Sequence, residues 1–306
     1  MSGRAIMIGL AALCGLLLMG WLAYSWNDRR AARAVPAPRA AASLPPPVEA
    51  PFAPPVSHRG RRGETFLLPA HCPTGSVDAV LHFHGAEPRM REAVEAAELR
   101  AAVFVSNQGT SSDGYRDAYR GAEVLGRIEA ELAEQLGAHC GGQRSLGRLA
   151  VSSWSAGFAA VQQLLRAPEN RARIDAVLLA DSLHAAFIDP AQRTLGDTQL
   201  QEFVEFARAA ARGDKLMLVT HSSIQTEGYA STTETADFLL RALNVERKPS
   251  ADGASTASAG GFHVWASPGR DERAHVKELK AFATQLFPVL AERWRGAPRA
   301  AAKLAR

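Results

Sequence analysis

From residue 64 onward the sequence alternates short apolar runs with segments of helical periodicity, and no other feature limits the fold as strongly. The strand-like runs stand at 78–83, 101–106, 146–152, 174–180, 215–220 and 261–266. Apolar residues at helical spacing follow at 89–99, 115–136, 156–165, 200–210, 233–243 and 273–294. Strands that alternate with helices predict a mainly parallel sheet covered on both faces, a three-layer α/β/α sandwich. Ligands of such sheets bind beyond the carboxyl ends of the strands.

The N-terminal part of the chain has a different character. Residues 5–24 form an apolar run without a charge, which is long enough to cross the hydrocarbon core of a bilayer. Trp21, Tyr24 and Trp26 stand where an interfacial aromatic belt would be. We therefore predict that an N-terminal transmembrane helix precedes the α/β domain, and a cleaved signal peptide is the alternative. Prolines and arginines between residues 29 and 63 predict an extended linker.

These features predict an organisation in four parts: an anchor or signal segment (1–28), a linker (29–63), the α/β domain (64–296) and a basic tail (297–306). We expect a single-pass protein of the cell membrane whose domain faces the periplasm or the cell exterior. Secretion after signal cleavage is the alternative. Arginines after the apolar run favour a cytoplasmic side instead, so the orientation stays open.

The formal net charge is +4, and much of it lies in the two ends of the chain rather than in the domain. The domain shows no stripe of Lys and Arg with aromatic residues between them, which a nucleic-acid surface would carry. We therefore expect no nucleic-acid partner.

A strand-to-helix junction at 153–157, which reads Ser-Trp-Ser-Ala-Gly, is the first candidate for chemistry. A nucleophile elbow needs a sharp turn with small residues beside the nucleophile, commonly in the pattern Gly-x-Ser-x-Gly. Ser153 replaces the first glycine of that pattern, while Ala156 and Gly157 keep the turn compact. Ser155 is the candidate nucleophile, and a helix cap formed by the serines is the alternative interpretation.

Three further features extend the pattern of this junction. His84 and Gly85 follow the strand 78–83, Asp181 ends the strand 174–180, and His275 lies beyond the last strand. With Ser155 these residues resemble the α/β-hydrolase superfamily, in which the triad follows the chain order Ser, Asp, His.

The resemblance covers about residues 78–294 and implies a serine hydrolase that needs no cofactor. It implies that Ser155 attacks an ester, thioester or amide carbonyl, that His275 is the base and that Asp181 orients it. An acyltransferase would use the same residues, and the sequence does not separate the two. The expected substrate is a small or envelope-derived acyl compound.

The oxyanion hole follows from the same resemblance. The N–H of Ala156, next to the nucleophile, is one expected donor. The His-Gly turn after the strand 78–83 is expected to supply the second donor from Gly85 or Ala86.

The acid and the pocket residues are less firmly specified. Most members of the superfamily carry the acid after the penultimate strand, where this chain reads Thr-His-Ser-Ser, so Glu227 and Asp271 remain alternatives to Asp181. Three further histidines are expected near the carboxyl edge of the sheet, where they either line the substrate pocket or bind loop backbone: His84, His184 and His221.

The resemblance also makes a prediction about two cysteines. Cys72 and Cys140 each precede a strand, and in an α/β-hydrolase these two strands would be parallel neighbours. Both cysteines would then lie at the amino edge of the sheet, which predicts a disulfide between them and fits an oxidising compartment.

Two other functions are alternatives to the serine hydrolase. His82 and His84 share the His-x-His spacing of some metal-dependent hydrolases, although the Asp and His that usually extend that motif are missing. A non-catalytic domain that binds an envelope component is the second alternative. We expect no metal in the serine hydrolase.

Overall fold

A ten-stranded sheet runs through the part of the chain that the computed structural model describes, residues 50–296. The strands are β1 (Val56–Arg59), β2 (Thr65–Leu68), β3 (Val77–Phe83), β4 (Ala101–Ser106), β5 (Leu146–Trp154), β6 (Ala176–Ala180), β7 (Ala185–Asp189), β8 (Thr194–Leu195), β9 (Leu216–His221), β10 (Tyr229–Ala230), β11 (Lys248–Pro249), β12 (Ser255–Ala259) and β13 (Phe262–Ala266). Strands β7, β8 and β10 form a separate small sheet.

The helices are α1 (Glu87–Ala96), α2 (Ser112–Ala118), α3 (Val124–Cys140), α4 (Phe158–Arg166), α5 (Pro168–Arg173), α6 (Gln201–Ala211), α7 (Thr232–Leu243), α8 (Glu272–Ala281) and α9 (Phe287–Gly296). A 3₁₀ turn at Ser155–Gly157 links β5 to α4, and a π-helical segment at Phe282–Leu286 joins α8 to α9.

The order of strands in the large sheet is β1-β2-β4-β3-β5-β6-β9-β13-β12-β11. The six strands from β4 to β13 are parallel, and the strands outside them pair antiparallel. The chain therefore reverses its direction of travel across the sheet between β3 and β5. In open α/β sheets, such a reversal marks the crevice in which ligands bind.

Helices cover both faces of this sheet because successive strand residues point to opposite sides. In β3, Ala79, Leu81 and Phe83 belong to the core under α3, α4, α6 and α7, whereas Val80 belongs to the core under α1 and α9. The three-layer α/β/α fold with a mainly parallel sheet is therefore confirmed for the described residues.

Cys72 and Cys140 form the predicted disulfide at the amino edge of the sheet, with Cα atoms 5.6 Å apart. Cys72 precedes β3 and Cys140 ends α3 just before β5, and these two strands are parallel neighbours. The pairing thus follows from the strand order that the resemblance implied.

Local structure differs from the sequence expectation in three places. The segment 115–136 is two helices rather than one, because the chain turns at Gly121 with a φ of 113°. The small and polar residues of the stretch 250–261 predict a mobile loop, but the stretch contains β12, which pairs with β13. Strand β1 lies in the segment expected to be a linker and pairs through its backbone with β2, which requires no apolar composition.

The predicted membrane segment, residues 5–24, lies outside the described residues. Among residues 50–296, no helix combines the length and the apolar character that a membrane span requires.

Candidate active site

Strained backbone marks the carboxyl edge of the sheet. His84, Ser155 and Asp181 follow β3, β5 and β6 directly, and they have φ values of 67°, 49° and 42°. The left-handed region is costly for a residue with a Cβ atom, and such residues persist where the surrounding structure fixes them, often at functional sites. Strained backbone is therefore found at the ends of the three strands after which the sequence places candidate site residues.

The turn after β5 is as sharp as the sequence predicted. Gly157 lies so close to the end of β3 that a Cβ atom there would meet the carbonyl oxygen of Phe83 at 2.2 Å. Only glycine allows α4 to begin at this distance from the sheet. The turn consequently raises Ser155 at the start of a helix, as a nucleophile elbow does.

Ser153 has a structural role in this turn. Its hydroxyl lies 2.8 Å from the hydroxyl of Ser182, which donates to the carbonyl oxygen of Ser155 at 2.8 Å. Both Ser153 and Ser182 are fully buried. The serine that replaces the first glycine of the usual pattern thus ties the turn after β5 to the turn after β6.

The structure brings Ser155, His275 and Asp181 together, although 120 residues separate the first two. His275 lies in the first turn of α8, and its Nε2 is 2.9 Å from Oγ of Ser155. Its Nδ1 is 2.8 Å from Oδ2 of Asp181. An imidazole with a hydroxyl at one nitrogen and a carboxylate at the other can accept a proton from the hydroxyl, because the carboxylate stabilises the resulting imidazolium.

The carboxylate of Asp181 is buried and held by two further hydrogen bonds. The Ser222 hydroxyl donates to Oδ2 at 2.7 Å, and the Ser222 N–H donates to Oδ1 at 3.2 Å. Burial alone would raise the pKa of the Asp181 carboxyl, but the hydrogen bonds from His275 and Ser222 lower it below its usual range. Asp181 is therefore ionised at neutral pH despite its burial.

The two alternative acids lie elsewhere. Asp271 is the N-cap of α8, where its side chain accepts a hydrogen bond from the N–H of Ala274. Glu227 is exposed in the loop before β10. The carboxylate beside His275 is that of Asp181.

Trp154 supports His275 from the side. The indole stacks on the imidazole of His275 with ring centroids 4.7 Å apart, and its Nε1–H donates to the backbone carbonyl of His275 at 3.1 Å. The indole also stacks on His84, with ring centroids 5.1 Å apart. These contacts fix the orientation of the His275 ring. Trp154 occupies the variable position of the pentapeptide, and the sequence did not predict this role for it.

One backbone N–H group in the turn after β3 already donates a hydrogen bond within the protein. The N–H of Gly85 donates to Oδ1 of Asn107 at 3.0 Å, and the Asn107 amide donates back to the carbonyl of Gly85 at 2.9 Å. Gly85 is therefore not a free oxyanion donor, which corrects the prediction for this residue. Ala86 is the other candidate from this turn, and Ala156 directly follows Ser155 in the turn after β5.

A cavity of about 590 Å³ opens next to Ser155 between α2, α4 and the small sheet. Ala156, Phe158 and Tyr229 are among the residues that line it. The segment 182–198, which follows β6 and is long enough in the sequence to shape a pocket, contributes to this wall through β7.

The three histidines expected in the pocket have different environments. His184 lines the cavity and hydrogen-bonds the carbonyl of Ala230 at 3.1 Å, and burial lowers the pKa of its imidazole. His84 does not line the cavity, since it lies under Trp154 and binds the hydroxyl of Tyr115 at 2.8 Å.

His221 is buried behind the site, which corrects its assignment to the pocket. Its Nδ1 is 2.7 Å from the carbonyl of Ser222, and its Nε2 is 3.0 Å from the guanidinium of Arg247. Burial lowers the pKa of this imidazole. The contact with the backbone carbonyl of Ser222 accounts for the role of His221, which is to hold the loop that carries Ser222.

The histidine pair weighed as metal ligands is divided between two environments. His82 is fully buried, with Nδ1 2.9 Å from the hydroxyl of Ser152, whereas His84 belongs to the stack on Trp154. Within residues 50–296, neither joins a group of three His, Cys, Asp or Glu side chains close enough to hold a metal ion.

Sequence reasoning missed Trp154, Asn107 and Ser222 as parts of the site. Ser222 carried a usable signal, because it stands after the penultimate strand, where most α/β-hydrolases place the acid. In this chain Asp181, the carboxylate beside His275, stands one strand earlier, and Ser222 at the usual place of the acid donates two hydrogen bonds to it.

The sharp turn at Ser155, the mainly parallel sheet and the chain order of Ser155, Asp181 and His275 agree with the α/β-hydrolase superfamily that the sequence resembles. No protein-family model and no curated protein matches the sequence.

Comparison with solved structures finds matches at low sequence identity and with TM-scores below 0.5. A zinc-bound cold-adapted esterase from an Arctic intertidal metagenomic library is 13% identical, with a TM-score of 0.42 over 78% of this chain and 92% of that chain. A thermophilic and thermostable carboxylesterase cloned from a metagenomic library is 13% identical, with a TM-score of 0.43 over 81% and 90%. An uncharacterised protein from Capnocytophaga ochracea is 10% identical, with a TM-score of 0.41 over 77% of this chain and 64% of that chain. Similarities of this size leave the activity to be inferred from the site itself.

Proposed function

We propose that this protein is a serine hydrolase that cleaves carboxylic esters through an acyl-enzyme on Ser155. One observation carries the proposal: the imidazole of His275 lies within hydrogen-bonding distance of both the Ser155 hydroxyl and the buried carboxylate of Asp181. The strained turn that exposes Ser155 to the cavity supports it.

In the first half of the reaction, Oγ of Ser155 attacks the ester carbonyl while Nε2 of His275 takes the hydroxyl proton. Asp181 accepts the Nδ1–H of His275 and stabilises the imidazolium. The carbonyl oxygen becomes an oxyanion, for which the N–H groups of Ala156 and Ala86 are the proposed donors. Collapse of the tetrahedral intermediate releases the alcohol, which takes its proton from His275.

In the second half, His275 takes a proton from water, and the hydroxide attacks the acyl-enzyme carbonyl. The new tetrahedral intermediate expels Oγ of Ser155, which regains its proton from His275. The products are a carboxylic acid and the regenerated hydroxyl. Water reaches this step through the open cavity beside Ser155.

The location is a proposal of its own. We propose that the apolar segment 5–24 holds the domain at the outer side of a cell membrane, or directs its export. The Cys72–Cys140 disulfide supports an oxidising compartment, because disulfides of this kind are rare where thiols are kept reduced.

Covalent labelling tests the nucleophile. A fluorophosphonate probe should modify the wild type, with the adduct mapping by mass spectrometry to the peptide that contains Ser155. Ser155→Ala should lose both the adduct and about 10⁴-fold or more of the turnover of 4-nitrophenyl butyrate. Ser152→Ala is the matched control, since its hydroxyl also contacts a histidine, and it should keep the label. A folded wild type that does not label, or an adduct that persists in Ser155→Ala, would refute the proposal.

A further inference from the structure

The charged groups in the wall of the cavity beside Ser155 are of one sign. Arg116, in the last turn of α2, and Arg166, in the last turn of α4, both line it. No carboxylate lines this cavity within the described part of the chain. The third titratable side chain in the wall that could carry a positive charge is His184, and burial lowers the pKa of its imidazole, which favours the neutral ring.

Both arginines keep donors for a ligand. Arg116 pairs with the exposed carboxylate of Asp113 three residues earlier. Arg166 lies 3.5 Å from Glu202 through its Nε atom, and more than half of its side chain is exposed. Arg166 also donates from one Nη atom to Oε1 of Gln163 at 3.3 Å. A guanidinium has five N–H donors, so these partners still leave donors on each arginine for an anion. The Arg116–Asp113 pair is exposed, and pairs of this kind contribute little to stability. The carboxylate of Glu202 is buried, so Arg166 binds a ligand beside this carboxylate rather than in its place.

The rest of the wall suits a ligand with an apolar body and a polar end. Phe158 and Tyr229 supply apolar surface, and Gln162 and Gln199 supply amide groups. Gln162 is held in place by a hydrogen bond from its Nε2 to the carbonyl of Gln199, at 2.9 Å. The two amides belong to the same wall as Arg166.

We propose that the preferred esters carry an anionic group remote from the reacting carbonyl, and that Arg116 and Arg166 bind this group. The proposal rests on the proposed function of Ser155 and specifies the substrate class of that site. Attraction between a guanidinium and a carboxylate in a partly enclosed cavity stabilises the bound ester through charge-assisted hydrogen bonds. The attraction is also screened by salt.

Matched ester pairs test the proposal. On the acyl side the pair is 4-nitrophenyl hydrogen suberate and its methyl ester. On the alcohol side it is 4-carboxyphenyl butyrate and its methyl ester. Wild type should hydrolyse at least one anionic ester with a kcat/KM about tenfold above its neutral partner, and sodium chloride should reduce this ratio. The pair that shows the preference identifies the side that carries the anion.

Two variants and one control test whether Arg116 and Arg166 cause the preference for anionic esters. Arg116→Gln and Arg166→Gln should each lower the ratio of anionic to neutral kcat/KM by about fivefold to tenfold. Arg120→Gln should leave the ratio unchanged, because Arg120 forms the same kind of exposed ion pair three residues apart but does not line the cavity.

The outcomes separate this inference from the proposed function. If wild type hydrolyses the neutral esters but prefers neither anionic ester, or if the preference survives both substitutions, the inference is wrong while the hydrolase remains. If no ester is hydrolysed and Ser155 does not label, both proposals fail.

Discussion

Ser152 in strand β5 and Ser155 in the turn that follows this strand each contact a histidine, with nearly the same distance but in different surroundings. Oγ of Ser155 lies 2.9 Å from Nε2 of His275, and Oγ of Ser152 lies 2.9 Å from Nδ1 of His82. The first pair opens to a cavity, whereas the second is fully buried. The same short contact between a hydroxyl and an imidazole is therefore found both in an open and in a closed environment, and we propose a nucleophile only for the open one.

The second nitrogen of each histidine accounts for much of the difference. Nδ1 of His275 contacts the carboxylate of Asp181, while Nε2 of His82 is buried without a hydrogen-bond partner among residues 50–296. Burial, reinforced by the neighbouring His84, lowers the pKa of the His82 imidazole to about 3. A ring that resists protonation to this extent cannot act as a general base near neutral pH.

The backbone adds a second difference between the pairs. Ser152 lies within β5, where its hydroxyl also approaches the carbonyl of Leu81 at 3.5 Å. Ser155 lies in the strained turn that follows, with a φ of 49°. Three residues of chain thus separate a hydroxyl that joins two strands from one that faces a cavity.

Within this comparison, the largest expected effect comes from removing the negative charge of Asp181, which distinguishes the His275 pair from the His82 pair. Asp181→Asn should lower kcat for 4-nitrophenyl butyrate by about 10³- to 10⁴-fold, because a neutral amide neither fixes the tautomer nor stabilises the imidazolium. Circular dichroism and the melting temperature establish that the variant folds. Ser222→Ala, which removes one hydrogen bond to the same carboxylate, should cost about tenfold. A folded Asp181→Asn with more than about a tenth of wild-type kcat would contradict the role of Asp181.

The second expected effect is a loss of unfolding free energy in acid that depends on the buried imidazole of His82. The pKa of its imidazole is about 3 in the folded protein, against an ordinary value of 6.5, so the unfolded chain binds the proton more tightly. The contribution of His82 is fully present above pH 6.5 and is lost progressively as the pH falls towards 3. Between about pH 7.5 and about pH 5 this histidine alone should remove about 2 kcal/mol of unfolding free energy.

Urea unfolding of wild type and His82→Gln at both pH values measures this loss. Because glutamine does not titrate, the variant should lose less unfolding free energy on acidification, even if it is less stable at neutral pH. Other buried histidines titrate in both proteins, so the quantity to compare is the difference in slope. Equal losses in the two proteins would show that His82 is not the buried base inferred from its surroundings.

The smallest effect concerns the rings that support each histidine. His275 stacks on Trp154, and His82 packs edge-on against Phe282 with ring centroids 4.8 Å apart. Trp154→Leu should lower kcat about tenfold, because the imidazole loses its flat support and the hydrogen bond to its backbone carbonyl. Trp154→Phe should recover part of the loss.

Phe282→Leu provides the matched comparison in the other pair. It should lower the unfolding free energy by about 1 kcal/mol and leave the rate of hydrolysis close to that of wild type. An unchanged kcat in Trp154→Leu would show that Asp181 alone orients His275.

Local pattern determined most of the fold. Apolar runs and helical spacing predicted the strands and helices, because burial on a sheet or along one helix face leaves a periodic signal in the residues themselves. The same signal failed at 115–136, where apolar spacing continues through a turn at Gly121. It also failed at 250–261, because β12 lies in the antiparallel outer part of the sheet and only Ala257 among its residues is buried, so the strand needs few apolar residues.

The sequence by itself determined the alternating α/β pattern, the small residues around Ser155 and the chain order of Ser155, Asp181 and His275. Tertiary structure alone decided that Asp181 is the carboxylate beside His275, that Asn107 occupies the N–H of Gly85 and that His221 lies behind the site. The reason is physical: periodicity reports which face of an element is buried. Contacts between residues far apart in the chain depend on strand order and on atomic distances, which no local pattern encodes.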